Sequence, residues 1–499
     1  MIFADKSLAA GPPALQVKFS TLNLRKLYSN AQFEQEDMGL REHVRTPFDK
    51  TLRNKSNMKP SQASSGVVFW FRNDLRLHDN PALQQAIALA VQRRTWLLPV
   101  YVHDNALQLT SPWGFVRTSD HRLAWTAMAV QDVAQQLLAL GSQLLQLSGK
   151  PIEVLRALMT QLNASTLVCE DIAAPYEQAH IQGLEKCGLD VQAVWQSTLM
   201  APDQLPFAPH DVPDTFSSFR REVERHPFTP AKPVPRVQAM PALPEQASIE
   251  ALAALSVVPS TCAPLSDPRS AFPWSQAEFH GGERAALAHL VQYCSRGLPH
   301  SYKATRNGLY GSDYSTKWSP WLAAGALSAR QAWAAIQSFE AQQGATESTY
   351  WIGFELLWRD HFRWLHLKHG ERMYRRRGLS DAPIQPRENN ARGFERWRTG
   401  QTGHALIDAG MRELNATGYT SNRLRQNLAS YLIHDLRCDW RAGAAWFESQ
   451  LIDFDVYNNQ GNWLYLSGRG TDPRGSRRFN PDKQVLDYDA DGAYRELWL

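Results

Sequence analysis

The chain has 499 residues, enough for two or three domains and a large core, and its 43% hydrophobic and 20% charged residues give a globular rather than a disordered balance. No apolar run reaches roughly 18 residues and no charged, apolar and cleavage regions open the chain, so neither a membrane span nor a secretory signal is expected. Five cysteines without a C-x-x-C pair fit reduced thiols in a cytoplasmic protein, and a net charge of +4 is too weak to imply a polyanionic partner.

Residues 1–65 show no sustained helical or strand period and end in SQASSG, so a flexible extension is expected. Its acidic Glu34, Glu36, Asp37 and Glu42 are wrong for an organelle-targeting peptide. From Val67, short apolar runs alternate with amphipathic stretches. VVFWF, TWLLPVYV, SQLLQL, STLVCE and LDVQAVW read as strands, and roughly 80–93, 117–140, 151–163 and 176–187 as helices. The alternation predicts a doubly wound parallel sheet over 66–200. Asn80-Pro81 reads as a helix start, a side-chain cap followed by Pro in the first turn. Residues 201–275 are rich in Pro and aperiodic, which predicts a long interdomain linker. Helical patterns broken by Gly and Asn then dominate, so 276–499 is expected to be all-helical.

The sheet half lacks G-x-G-x-x-G, a Walker loop and a nucleophile elbow. Its unusual segment is FWFRNDLRLHDNPAL (69–83), which sets Arg72, Asn73, Asp74 and Arg76 directly after the first strand. A network stapling this loop to the neighbouring domain is expected there rather than catalysis. Charge and aromatics are unevenly spread. From residue 271 onward there are 28 basic and 24 acidic side chains, 24 of the 28 being Arg, and 12 of the 17 Trp. Arg is favoured where phosphates are gripped or planar rings are stacked.

Three helical-half segments carry candidate chemistry. DYSTKWSPWLAAG (313–325) places Ser315, Thr316, Lys317 and Ser319 before Pro320 at a helix start, which suits either a pyrophosphate or a plain N-cap. In STYWIGFELLWRDHFRW (348–364), Glu355, Trp358 and Arg359 share one helix face. They suit a stacked base or flavin-like ring, or an ion pair beside a core Trp. His361, His366 and His369 lack carboxylates at matching positions, so no metal is expected. TGYTSNRLRQNLASYLIHDL (417–436) packs Asn422, Arg423, Arg425, Gln426 and Asn427 into an otherwise apolar helix. DFDVYNNQGNWLY follows with Asp453 and Asp455, either of which suits Arg425, and with Asn459, Trp463 and Tyr465.

Taken in order, YKATRNGLYGSDYSTKWSPWLA, STYWIGFELLWRD, WRTGQTGHALIDAGMRELNATG, SNRLRQ and NNQGNWLY resemble the photolyase/cryptochrome flavoproteins, nearest the cryptochrome DASH branch. The resemblance covers about 66–499. It implies an α/β antenna domain and a helical domain binding FAD. Tyr302, Ser315, Thr316, Lys317 and Ser319 would then line the adenine–pyrophosphate side. Arg425, Asp453, Asp455 and Asn459 would surround the flavin ring, with Asn459 facing N5, and Glu355 and Arg359 would also bind the cofactor. Glu355, Trp358, Asn422, Arg423, Gln426 and Tyr465 would line the cavity for a flipped pyrimidine dimer, with Arg306 beside it on the DNA side. The branch also implies 5,10-methenyltetrahydrofolate as antenna, with Glu177 as its ligand.

Departures refine this picture. Tyr465 and Gln426 stand where duplex-acting photolyases carry Trp and Met, implying single-stranded or looped DNA. Ser421 in place of His speaks against the (6-4) lesion. Trp463 and Trp440 match the electron relay, but its third position is Arg387. The expectation is a monomeric, light-driven lyase that repairs cyclobutane pyrimidine dimers from reduced FAD. The alternatives are a blue-light photoreceptor with a signalling or transcriptional role and a plain nucleotide-binding α/β protein.

Overall fold

The computed structural model describes residues 65–226, 229–254, 267–383, 390–472 and 474–499. All but the last residue of the expected extension, and Arg387, lie outside the described residues.

Five strands, β1 (Val67–Phe71), β2 (Leu97–Asp104), β3 (Leu145–Gly149), β4 (Thr166–Glu170) and β5 (Asp190–Val194), form one parallel sheet in the order β3-β2-β1-β4-β5. β1 and β4 are buried throughout, as a parallel strand covered on both faces requires. The crossovers are α1 (Pro81–Arg93), α2 (Asp120–Ala139), α3 (Pro151–Gln161) and α4 (Pro175–Lys186). Asn80 caps α1 as its sequence predicts, its Oδ1 accepting from Leu83 N–H at 3.0 Å. The strand order reverses between β1 and β4, so a crevice is expected at their carboxyl ends.

The segment expected to be a bare linker is structured. Phe216, Phe219 and Val223 repeat at helical spacing and bury one face of α5 (Phe216–Arg225). After it the chain straps back along the sheet half. Val234 N–H donates to Asp79 Oδ1 at 2.9 Å, Val237 N–H to Leu77 O at 3.2 Å, and Leu97 N–H to Ala242 O at 3.0 Å. α6 (Gln246–Ala254) follows.

The remaining half is helical. It comprises α7 (Glu283–Ser295), α8 (Tyr302–Thr305), α9 (Ser319–Ala324), α10 (Ala329–Gln343), α11 (Glu347–His369) and α12 (Ala391–Arg398). Then come α13 (Ala405–Thr417), α14 (Asn422–Ser430), α15 (Trp440–Gln450), α16 (Val456–Ser467), α17 (Pro481–Tyr488) and α18 (Ala493–Trp498). α11 is the axis: sixteen of its residues are buried, and Gly461 of α16 meets it so closely that an added Cβ would lie 2.2 Å from the Phe362 ring.

The loop after β1 staples the two halves together, as its Arg/Asp pattern suggests. Arg76 donates to Gly325 O at 2.9 Å, and Glu283 of α7 accepts from Leu77 N–H and His78 N–H at 3.0 and 2.8 Å. Buried Asp79 takes Arg330 of α10 through three hydrogen bonds of 3.0–3.2 Å. Gly325 has φ +69° and passes so near Asn73 that a Cβ would lie 1.8 Å from its carbonyl oxygen.

Candidate functional site

A cavity opens among α9, α11, α14 and α16, its lining drawn from both polar and apolar side chains. Tyr302, Thr316, Ser319, Glu355, Arg359, Asn422, Arg425, Asp453, Asp455, Asn459 and Trp463 all line it. Most of the cofactor set read from sequence is therefore brought to one place.

Its polar wall is built of buried charges held in pairs. Arg425 donates to Asp453 at 2.9 Å. Burial alone would lower the Arg425 pKa, but the adjacent carboxylate outweighs it and the net shift is upward. The sequence leaves Arg425 a choice of two aspartates; Asp455 instead pairs with Arg363. Burial opposes ionisation of Asp455, yet Arg363 and Arg359 hold it below the ordinary carboxylate range. Arg359 donates to Ser197 O, and burial with neighbouring Arg363 brings its pKa down to about 10. Glu355 is paired to Arg306 from α8's C-terminus, both nearly buried.

Several polar atoms on this wall are buried without a partner: Arg359 Nε, Asn422 Oδ1, Asp453 Oδ1, Asn458 Oδ1 and Asn462 Oδ1. Unpaired buried groups at this density are costly in a protein interior and point to a ligand rich in donors and acceptors. The apolar remainder, including Leu356, Phe447 and Leu451, suits a flat ring system.

Not every expected ligand faces this cavity. The Lys317 ammonium sits 3.1 Å from the Tyr314 ring centroid and donates to Gly311 O at 3.3 Å, and Lys317 is not among the cavity's lining residues. The reason is backbone: Ser315 and Lys317 both adopt left-handed φ, 60° and 58°, which turns alternate side chains away and leaves Thr316 and Ser319 on the lining. Of the DNA-side set, Asn422 lines this cavity, whereas Trp358 and Tyr465 line a neighbouring one. Arg423 and Gln426 lie beyond both, joined at 2.7 Å, with Arg423 also donating to Asn307 at 3.0 Å.

Trp463 lies 6.5 Å from Trp397 and 5.2 Å from Phe447, ring centroid to centroid. Trp440 is buried and donates to Arg376 O at 3.3 Å. His361 and His366 each bond a backbone carbonyl and His369 meets Asp214; no metal-holding cluster occurs among the described residues. Sequence reading missed Arg363, although it follows Arg359 by one turn, and Phe216, which lies in the segment read as a linker.

A further cavity sits at the strand-order reversal, lined by Arg72, Tyr101, Asp104, Arg117, Tyr176, Glu177 and His180. Arg72 bonds the carbonyls of Glu170 and Glu177 at 3.1 and 3.2 Å, tying β4 to α4. Glu177 is half-buried, with Oε2 shielded from solvent and unpartnered, and desolvation raises its pKa despite nearby Arg72.

The fold and cavity define a class of two-module proteins, a parallel-sheet module joined to a helical one that carries a ligand cavity, and comparison with known proteins gives the family. Residues 67–239 match the model described as DNA photolyase, and 351–499 the FAD binding domain of DNA photolyase. Cryptochrome DASH of Gloeobacter violaceus is 42% identical, with 87% of this chain and 85% of that protein covered. Cryptochrome DASH of Xenopus laevis is also 42% identical, over 87% and 82%. The crystal structure of the Synechocystis sp. cryptochrome superposes with a TM-score of 0.78 at 38% identity over 89% of each chain. The chain belongs to the photolyase/cryptochrome family, with cryptochrome DASH proteins among its relatives. No helix among the described residues is long and apolar enough to cross a membrane.

Proposed function

We propose that this chain is a DASH-type photolyase that splits cyclobutane pyrimidine dimers in single-stranded or looped DNA, acting as a cytoplasmic monomer. The observation that carries the reading is the paired wall of the main cavity, where partnerless polar atoms meet Glu355 and Asn422 at one side. FAD, when bound there, supplies the light-driven electron donated to the dimer. The protein's residues bind and orient. Asp453 fixes Arg425 and leaves its second oxygen for an imide N–H. Asn459 commits its amide N–H to Ala444 O at 3.0 Å, which fixes that side chain beside Trp463. Arg306 neutralises Glu355 in the wall, so that carboxylate is held where a flipped base arrives.

Glu177 is the proposed antenna ligand. A half-buried carboxyl with one shielded, unpartnered oxygen suits the amino and ring N–H donors of a pterin, here 5,10-methenyltetrahydrofolate. The test is an absorption spectrum of the purified protein followed by illuminated repair of dimer-containing single-stranded and duplex oligonucleotides. Repair of the single strand above the duplex supports the reading. A yellow protein that photoreduces yet repairs neither strand favours the photoreceptor instead.

A further inference from the structure

Behind the polar wall of the main cavity lies a carboxyl that the cofactor site does not use directly. Glu413, near the end of α13, is buried and is not among the cavity's lining residues. Its Oε2 accepts from the Thr420 hydroxyl and from the Tyr494 hydroxyl of α18, each at 2.7 Å, while Oε1 is buried without a partner. The Thr420 carbonyl in turn accepts from Arg425 Nε at 3.0 Å, and Arg425 Nη2 donates to Asp453 at 2.9 Å. Four hydrogen bonds thus run unbroken from α18 to the cavity wall, through Tyr494, Glu413, Thr420, Arg425 and Asp453. A guanidinium held at one edge can swing about that contact; held at two, its plane is fixed.

The groups that act on Glu413 come from every side. Burial pushes its carboxyl up to about 7, opposed by the hydroxyls of Tyr494 and Thr420 and by the Lys317 and Arg425 cations. Tyr314, Tyr419 and Tyr494 lie within its field, and burial keeps all three phenols protonated. Burial also lowers the Lys317 ammonium well below the ordinary lysine value. We propose that Glu413 is a positioning residue for the flavin: through Thr420 it holds the edge of Arg425 that Asp453 leaves, and its charge, governed by Tyr494, offsets the positive charge that Arg425 presents to the ring. An ionised Glu413 then opposes reduction, because the flavin gains negative charge as it takes up electrons, and a protonated Glu413 favours it. The proposal rests on Arg425 facing a bound flavin.

The test is the midpoint potential of the flavin in the FAD-loaded full chain, titrated in the dark against redox dyes over about two pH units on either side of neutrality. Any flavin that takes up a proton on reduction shows a steady fall of potential with pH; the wild type is expected to show an additional fall across neutrality. Glu413→Gln should lose the additional fall and lie above the wild type at alkaline pH while matching it in acid. Tyr494→Phe removes a hydrogen bond that favours the carboxylate, so the additional fall should persist and move to higher pH. A purely structural role would change flavin content and leave this inflection in place. A wild type without the inflection, or an inflection that survives unmoved in Glu413→Gln and so belongs to Lys317 or another group, overturns the proposal. Should Glu413→Gln fail to hold flavin, an unmoved inflection in Tyr494→Phe overturns it alone. A wild-type chain that takes up no flavin overturns the cofactor reading as well.

Discussion

Asp79, on the loop after β1, and Arg330, in α10, meet in a fork-to-carboxylate contact from which solvent is excluded. The same guanidinium donates to Gln196 O and Thr198 O at 3.2 Å, so one side chain joins the first strand's exit, the last strand's exit and the helical half. Removing one partner of a buried pair costs about 3–5 kcal/mol because the other charge is stranded. Asp79→Ala should therefore lower the thermal midpoint strongly, whereas the exposed Lys150–Glu153 pair should tolerate loss of either partner within about 1 kcal/mol. Differential scanning calorimetry of both variants checks the contrast.

Asp453→Ala leaves Arg425 in the cavity wall without its counter-charge. Expected is a colourless, poorly soluble protein, with Asp453→Asn intermediate because it keeps a hydrogen-bond acceptor but not the charge. The flavin-to-protein absorbance ratio after purification measures this. A stoichiometric yellow Ala variant would show that this pair does not shape the cofactor site.

Stability should be greatest near pH 6.5. His180, His289, His361 and His366 have pKa values pushed by burial to about 4, below their unfolded values. Folding therefore gains from their neutrality above about pH 6.5 and loses it as pH falls toward 4. Glu170 and Glu413 are shifted oppositely by burial, to about 8 and about 7. They favour the folded state while protonated, and that contribution is lost as pH rises through those values. Thermal midpoints should thus decline from pH 6.5 to 8, and Glu170→Gln should flatten the decline.

Electron supply to the flavin is expected to run through Trp463, whose ring lies close to Trp397. Trp397 is fully buried and its indole N–H is committed to Leu428 O at 3.0 Å, so an oxidised Trp397 has no solvent to take its proton. Trp440→Phe should abolish photoreduction, while Trp397→Phe, removing a residue that is not the exit, should leave its rate unchanged. Repair started from chemically reduced FAD should survive both. Transient absorption of oxidised tryptophan in the two variants decides it, and an unchanged Trp440→Phe rate would remove that residue from the route.

Much of this was legible because period and capping are local properties. The five strand runs, the Asn80 cap and the stapling loop follow from neighbours within a few residues. Cavity membership was legible where a motif sits on one helix, as Asn422 and Arg425 do on α14. What stayed hidden depends on distant partners or on backbone handedness. Nothing near Asp455 in the chain announces Arg363, 92 residues earlier. Lys317 looks like a phosphate ligand until its left-handed φ sends the ammonium onto Tyr314. Phe216 was obscured by surrounding prolines, although its spacing to Phe219 and Val223 carried the signal.

The strap of residues 234–242 gives biosynthesis an order. Val234 and Asp79 meet across 155 residues of chain, and the Leu97 N–H at the head of β2 finds its acceptor only in Ala242. A ribosome delivers the strands long before it delivers their edge partners. During that interval the nascent sheet carries a buried-to-be carboxylate and open amides with only water to bind. Its final closure waits for the strap, and the Asp79 lock waits for Arg330, later still. The N-terminal half is therefore completed by sequence that lies far beyond its last strand.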